Sequence, residues 1–398
     1  WILWVGYCNQ FGLCHLFKVL KIASITTIQM RVLHISSPKT WRGGEQQLIY
    51  LAEELKALGV EQVIMCPFNS QVHKYCLKNH LSHVTYFKGF SANPMVAFRV
   101  AHVCSKERID LIHVHDSHAH NFAILSAVLT KNERPIIVSR RVDFAIQGSS
   151  MSLVKYNHPN IKKVVCVSAA IRDVMLEFIE DKSKLEVVHS GIDLLRFENV
   201  EPKGSLRTEY HIPSDCAIIG NVSALAPHKD YRTFVDTAKK LIEDGVKAKF
   251  IAIGEGPSRK EIEGYIDLNR MQDHIILMGF RKDVPELLKE LDVFLITSKT
   301  EGLGTSIIDA LASEAPVVAT KAGGIVEVIE HEVCGLLCDV QNPEQLASEV
   351  KRMLANDELR EKCIAGGREK VKRFSKTETA KRSLAIYHDV LSDSSVKA

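Results

Sequence analysis

Short β-branched, apolar runs alternate along the chain with longer stretches whose apolar positions recur at helical spacing, the mark of a parallel α/β protein. In the first half the runs fall at residues 31–36, 62–66, 83–86, 111–115, 136–139 and 163–167, with helical patterns between them such as 45–58. The series restarts at 216–222, 249–253, 275–278, 293–297 and 317–320. Each half predicts its own doubly wound, Rossmann-like sheet. Between them Leu185-Glu-Val-Val-His-Ser190-Gly191-Ile-Asp193 reads as a strand that leaves its sheet sharply at a glycine. This places a boundary near Asp193, with domains at 30–193 and 194–375. An amphipathic helix from Lys376 to Leu391 follows, within a last segment 376–398.

The 398 residues, 46% apolar and 25% charged, have the composition of an ordinary globular protein and the length of two domains. A net charge of +3 argues against nucleic acid as the main partner. From Met30 to Asp193 there are 20 Lys and Arg against 15 Asp and Glu, a basic excess that suits an acidic acceptor or the inner membrane surface. The ten cysteines show neither metal nor disulfide spacing, which predicts reduced, buried thiols and a cytoplasmic setting. Residues 1–29 are expected to be an extension without a role in the fold, because Met30-Arg-Val-Leu-His-Ile reads as a start directly on a strand.

The strongest chemical signal is Ser298-Lys-Thr-Glu301-Gly302-Leu303-Gly304-Thr305, which leads into an apolar helix carrying Asp309. A short β-rich run then reaches a second glycine turn, Lys321-Ala-Gly323-Gly324-Ile-Val-Glu327. Carboxylates accept charge-assisted hydrogen bonds from sugar diols, and amides at a helix start bind phosphate oxygens. A nucleotide sugar offers both groups. The stretch resembles the E-x7-E signature of retaining glycosyltransferases of family 4, with Asp309 in place of the second Glu. The resemblance spans Met30 to Leu391. It implies the GT-B fold, two Rossmann-like domains facing each other across a cleft, with the terminal helix returning to the first domain. It also implies that Glu301 and the amides of Gly302, Leu303, Gly304 and Thr305 hold the donor sugar, while Asp309 holds the ribose.

Other loops add to this. Trp41-Arg42-Gly43-Gly44-Glu45 opens the first helix, where the resemblance brings Gly44 close to the donor diphosphate or the acceptor. In Asn221-Val-Ser223-Ala224-Leu-Ala-Pro227-His228-Lys229, the resembling enzymes usually carry an Arg and a Lys that touch the diphosphate. Lys229 stands at the second position and Ala224 at the first, so Ser223 and Lys229 are donor-site candidates without that Arg. Gly254 and Gly256 end one strand and Phe280 and Arg281 another; the resemblance puts these loops beside the nucleotide. His113-Val-His115-Asp116-Ser-His118-Ala-His120 allows a divalent metal site, placement of an acceptor by His115 or His118, or a purely structural role for most of these residues. Arg140, Arg141 and Asp143, at the end of the next strand, suggest recognition of an anionic group.

These readings combine into one expectation: transfer of a hexose-type sugar from a nucleoside diphosphate sugar to a glycan or lipid-linked acceptor, with retention of configuration. Cell-surface polysaccharide or lipopolysaccharide synthesis is the expected setting. Glu301, Lys229, His115 and His118 are the expected catalytic residues, with no cofactor and no metal. A nucleotide-sugar epimerase, a metal-dependent hydrolase built on His113–His120, and a non-catalytic nucleotide-sugar-binding protein are the alternatives.

Overall fold

A computed structural model describes residues 30–90, 92–142 and 150–395. The first sheet comprises β1 (Arg31–Ile35), β2 (Glu61–Pro67), β3 (His83–Tyr86), β4 (Leu111–Val114), β5 (Ile136–Arg140), β6 (Ile161–Cys166) and β7 (Leu185–Val187). The second comprises β8 (Ala217–Val222), β9 (Ala248–Ile253), β10 (Ile275–Gly279), β11 (Val293–Ile296), β12 (Val317–Thr320) and β13 (Leu336–Cys338). The orders are β3-β2-β1-β4-β5-β6-β7 and β10-β9-β8-β11-β12-β13, with every ladder parallel. Parallel strands need helical crossovers that cover both faces, which is why the central strands β1, β4, β8 and β11 are buried along most of their length. Val293, Phe294, Leu295 and Ile296 of β11 have no exposed surface.

In each sheet the order reverses once, between β1 and β4 and between β8 and β11. The chain leaves toward opposite faces on the two sides of that point, so a crevice opens at the carboxyl ends of the strands. Two elements depart from the sequence reading. The helix expected over 45–58 runs Gly43–Ala57, because the Glu45 carboxylate accepts the Arg42 N–H at 2.8 Å and starts the helix two residues earlier. The three-residue β13 was not anticipated; Leu-Leu-Cys is too short to show a period, and its pairing with β12 defines it.

The chain crosses between domains twice at adjacent points. The Ile192 N–H donates to the Phe374 carbonyl and the Lys376 N–H to the Ile192 carbonyl, each at 2.8 Å. A Cβ on Gly191 would fall 2.2 Å from the Ser375 carbonyl oxygen, so only glycine lets the two crossings touch. After the second crossing, helix Lys376–Ser395 returns to the first domain. Ala380, Ile386, Tyr387 and Val390 share a buried cluster with Leu51 and Leu55 of helix Gly43–Ala57 and with Val32 and Val165 of the sheet. The eight cysteines of the described residues are all free and buried. Among the described residues no helix is long and apolar enough to cross a membrane.

Candidate active site

The crevice of the second sheet is built from two loops, one after β8 and one after β11. Asn221, at the end of β8, donates from Nδ2 to the Leu295 carbonyl at 2.7 Å and accepts from Ser223 Oγ at 2.7 Å, tying the two strand ends together. Thr297 Oγ1 donates to the main-chain carbonyls of Lys229 and Asp230, at 3.2 and 3.1 Å. Lys229 is thereby aimed at the turn after β11, where its ammonium forms an ion pair with Glu301. Ser298 Oγ donates to the same Glu301 oxygen at 2.8 Å. Glu301 is 6% exposed, so this pair sits in a wall of protein and not in bulk solvent.

The two glycine turns pack on each other. Gly324 N–H donates to the Glu301 carbonyl at 3.0 Å, and Gly323, at φ +51°, would carry any Cβ to 2.2 Å from that same oxygen. Gly304, at φ +82°, turns the chain into helix Thr305–Ala312, and its N-terminus opens on the crevice. Across the gap stands the N-terminus of helix Gly43–Ala57, with Gly43, Gly44 and Gln47. These walls enclose a cavity of about 390 Å³.

Arg141 reaches this cavity from the first domain. Its Nη1 donates to Ser190 Oγ at 3.3 Å, and among the described residues no carboxylate pairs with it. Burial pulls its pKa down to about 10, countered by Glu45, so it remains a cation at neutral pH. Its carbonyl also lies close against the second domain, since a Cβ on Gly302 would lie 2.6 Å from it.

Of the residues singled out in the sequence, Gly44, Ser223, Lys229, Glu301, Gly302, Leu303, Gly304, Thr305 and Arg141 all line this cavity. The others lie elsewhere. Asp309 is one helical turn beyond Thr305 and faces Arg196 and Tyr50, which share a 3.2 Å hydrogen bond. The residue keeps some exposure, yet protein surrounds its carboxyl, and that burial pushes the pKa up to about 7 against the pull of Arg196. Gly254 and Gly256 pack on the Ser223 and Leu225 carbonyls rather than lining the cavity. Phe280 is 73% exposed, and Arg281 is taken by Asp283 and Glu209, at 2.7 and 3.0 Å. Arg140 is buried beside Tyr156. Asp143 lies outside the described residues.

The histidines stay inside the first domain. His34 Nδ1 and His115 Nε2 are 3.0 Å apart; His113 meets Tyr387 OH at 2.6 Å through Nδ1 and Ser139 Oγ at 2.9 Å through Nε2. Burial lowers the pKa of His113 and His115 well below the ordinary range and keeps both rings neutral. His34, His113 and His115 bring three ring nitrogens within 4.8 Å of one another. A metal there would have to displace Tyr387 or Ser139 from His113, so the trio fits a hydrogen-bonded cluster better than a metal cradle. His118 lies at the start of helix Ser117–Thr130, where its N–H donates to Asp116 at 3.0 Å. Asp116 also accepts from Ser37 N–H at 2.7 Å and Ala119 N–H at 3.0 Å, bonds that commit it to capping this helix.

Gln47, Val167, Ser190 and Ser306 line the cavity and were not singled out. Ser190 had a signal in the sharp exit at Ser190-Gly191. Gln47 lies one turn after Gly43-Gly44 and donates to the Gly191 carbonyl at 2.7 Å, a contact between segments 144 positions apart in the chain. A larger groove of about 750 Å³ lies at the opposite end of the second sheet, but its charges are already paired, Lys247 with Asp215 and Arg207 with Asp292.

Two wound domains joined by a double crossing, with helix starts and cations facing one cavity, define the GT-B class of nucleotide-dependent transferases. Residues 41–196 match the Glycosyltransferase Family 4 model, and residues 203–370 match that of Glycosyl transferases group 1. The chain is a glycosyltransferase of the GT-B type. It is 27% identical over 304 residues to N-acetyl-alpha-D-glucosaminyl L-malate synthase of Bacillus anthracis, covering 75% of this chain and 79% of that enzyme. It is 23% identical over 261 residues to an Escherichia coli UDP-Gal:alpha-D-GlcNAc-diphosphoundecaprenol alpha-1,3-galactosyltransferase, covering 62% and 67%. The structure of Anabaena Alr3699/HepE in complex with UDP-glucose superimposes with a TM-score of 0.79 at 19% identity, covering 90% of this chain and 100% of that one.

Proposed function

We propose that the protein transfers a hexose-type sugar from a uridine diphosphate donor to a glycan or lipid-linked acceptor with retention of configuration, in cell-surface polysaccharide or lipopolysaccharide synthesis. One observation carries this reading: two helix N-termini, Lys229 and Arg141 converge on a single cavity whose wall also carries Glu301. Amides and cations suit a diphosphate, and a shielded carboxylate suits the hydroxyls of the attached sugar. The donor base is proposed as uracil because HepE binds UDP-glucose and the E. coli galactosyltransferase is named for UDP-Gal.

In this reading the bond from the anomeric carbon to the phosphate oxygen breaks while the acceptor oxygen bonds that carbon on the same face. The leaving phosphate takes the acceptor proton. Lys229 exchanges Glu301 for the developing phosphate charge, and Arg141 supplies the second cation from the facing domain. Asp309, one turn along the same helix, accepts from the ribose hydroxyls. No metal or cofactor is assigned a part in it.

The test is a thermal-shift screen of nucleoside diphosphate sugars, followed by NMR of donor hydrolysis and of transfer to lipid-linked saccharides. A stabilising uridine diphosphate sugar whose product keeps the donor's anomeric configuration supports the reading. An inverted product, or a donor converted to its epimer without an acceptor, overturns it. Activity abolished by a chelator and restored by zinc or manganese would overturn the metal-free chemistry.

A further inference from the structure

At the carboxyl edge of the first sheet β2 and β3 end in register, Pro67 opposite Tyr86, so the next residues are neighbours. Both are phenylalanines, Phe68 and Phe87, with ring centroids 5.6 Å apart and exposures of 51% and 82%. Phe90 follows at 67%. The chain then enters helix Pro94–Lys106, which buries Val96, Val100 and Val103 while Met95 and Phe98 remain 80% and 54% exposed. Single exposed apolar residues are ordinary, but five large ones following one another along one rim are not.

The charge around them is one-sided. From residue 62 to 106 the sequence has no Asp or Glu, against five Lys and Arg and four His, although 48 of the chain's 398 residues are acidic. Lys74, Lys78 and Arg99 are exposed, and among the described residues neither they nor Lys88 pair with a carboxylate. Exposed aromatics with unpaired cations, on a segment that itself contains no acid, complement an interface of acyl chains and anionic headgroups, whereas an apolar protein partner requires no such charge bias.

We propose that this rim docks the protein on an anionic bilayer surface, with Phe87, Phe90 and Met95 entering the interface and Lys88 and Arg99 meeting lipid phosphates. The rim and the Trp41–Gly44 turn both follow carboxyl ends of the first sheet, so docking turns that end of the domain toward the membrane. That a lipid-linked acceptor then reaches the cleft rests on the transfer reaction proposed above; the docking itself does not.

The experiment is co-sedimentation of the full chain with phosphatidylcholine vesicles, with and without about 30% phosphatidylglycerol, at low and high salt. Binding is expected to the anionic vesicles, at least about tenfold weaker to the neutral ones, and weakened by salt. A Phe87→Ser/Phe90→Ser/Met95→Ser variant is expected to bind about tenfold more weakly or worse, with donor hydrolysis in solution unchanged. A Lys88→Glu/Arg99→Glu variant, which keeps the apolar rim, should lose the preference for anionic vesicles. No binding by the parent chain, or equal binding by the triple variant, overturns the proposal. So does a parent dimer that the triple variant dissolves without any vesicle binding, since a second copy would then be the occupant. Vesicle binding by a chain that neither binds nor hydrolyses any nucleotide sugar would sink the transfer reaction and leave the docking intact.

Discussion

Asp116 and Glu301 occupy the same topological place in the two domains: each follows the strand across the switch point, β4 in one sheet and β11 in the other. Asp116 is spent on its own fold, since it accepts from the Ser37 amide and from the first amides of helix Ser117–Thr130. The Glu301 carboxylate, among the described residues, accepts only from side chains, Lys229 and Ser298, and faces a cavity. The difference lies in the glycines. Gly302 and Gly304 carry the chain past the strand end before the helix starts, and the carboxylate is left outside the turn. Asp116 directly precedes its helix and becomes the cap. One strand order thus yields a helix-capping carboxylate in one domain and a cavity-facing carboxylate in the other.

The sharpest way to break this comparison is to remove both carboxylates in separate variants. Glu301→Ala should lower kcat by about 100-fold or more while the affinity for free nucleoside diphosphate barely changes, because a group that orients the reacting sugar acts on turnover. Unchanged turnover in a folded variant would take Glu301 out of the reaction. Asp116→Ala should instead lower unfolding free energy by about 2–3 kcal/mol, through the lost helix cap and the stranded Ser37 amide. Chemical denaturation measures it, and an activity loss with undiminished stability would make Asp116 a site residue after all.

A finer test concerns the two cations. Lys229→Ala and Arg141→Ala should each weaken donor affinity by about 1.5–3 kcal/mol, the range for a lost bond to a charged group. The double variant should lose less than the sum, as charges sharing one diphosphate do. Isothermal titration with donor reads this directly. If Arg141→Ala leaves donor affinity unaltered but impairs use of an anionic acceptor, the arginine serves the acceptor and the two domains divide their substrates.

The smallest expected effect is a pH dependence. The Asp309 pKa, raised from 3.8 to about 7 by burial, means the folded protein holds a proton that the unfolded chain releases between those values. Its contribution to stability therefore falls as pH rises through that window and levels off above about 7. Donor binding runs the other way, since the ribose hydroxyls favour the ionised carboxylate. Affinity should improve about tenfold from pH 6 to pH 8, with a proton released on binding below about pH 7, and Asp309→Asn should flatten the profile. A flat profile in the parent protein would remove Asp309 from the nucleotide.

Much of this was legible in the residues because it is local. Apolar runs defined eleven of the strands to within a residue or two, and Glu301-Gly-Leu-Gly304 marked a carboxylate beside a helix start without any knowledge of the fold. Lys229 could be named from its loop, but its pairing with Glu301 spans 72 positions. What the residues could not show was which side chains would be consumed by neighbours. The histidines allow a metal, an acceptor or a structural role in the sequence, and the residues that pack against them, His34 of strand β1 and Tyr387 of the terminal helix, come from distant segments. Arg140 and Arg141 are adjacent and chemically identical, yet strand alternation sends one into the first domain and the other into the cleft. Local sequence determines which residue types stand at the end of each strand. Only packing between distant segments decides which of them keep a free functional group, because hydrogen bonding and burial depend on neighbours that the chain order does not name.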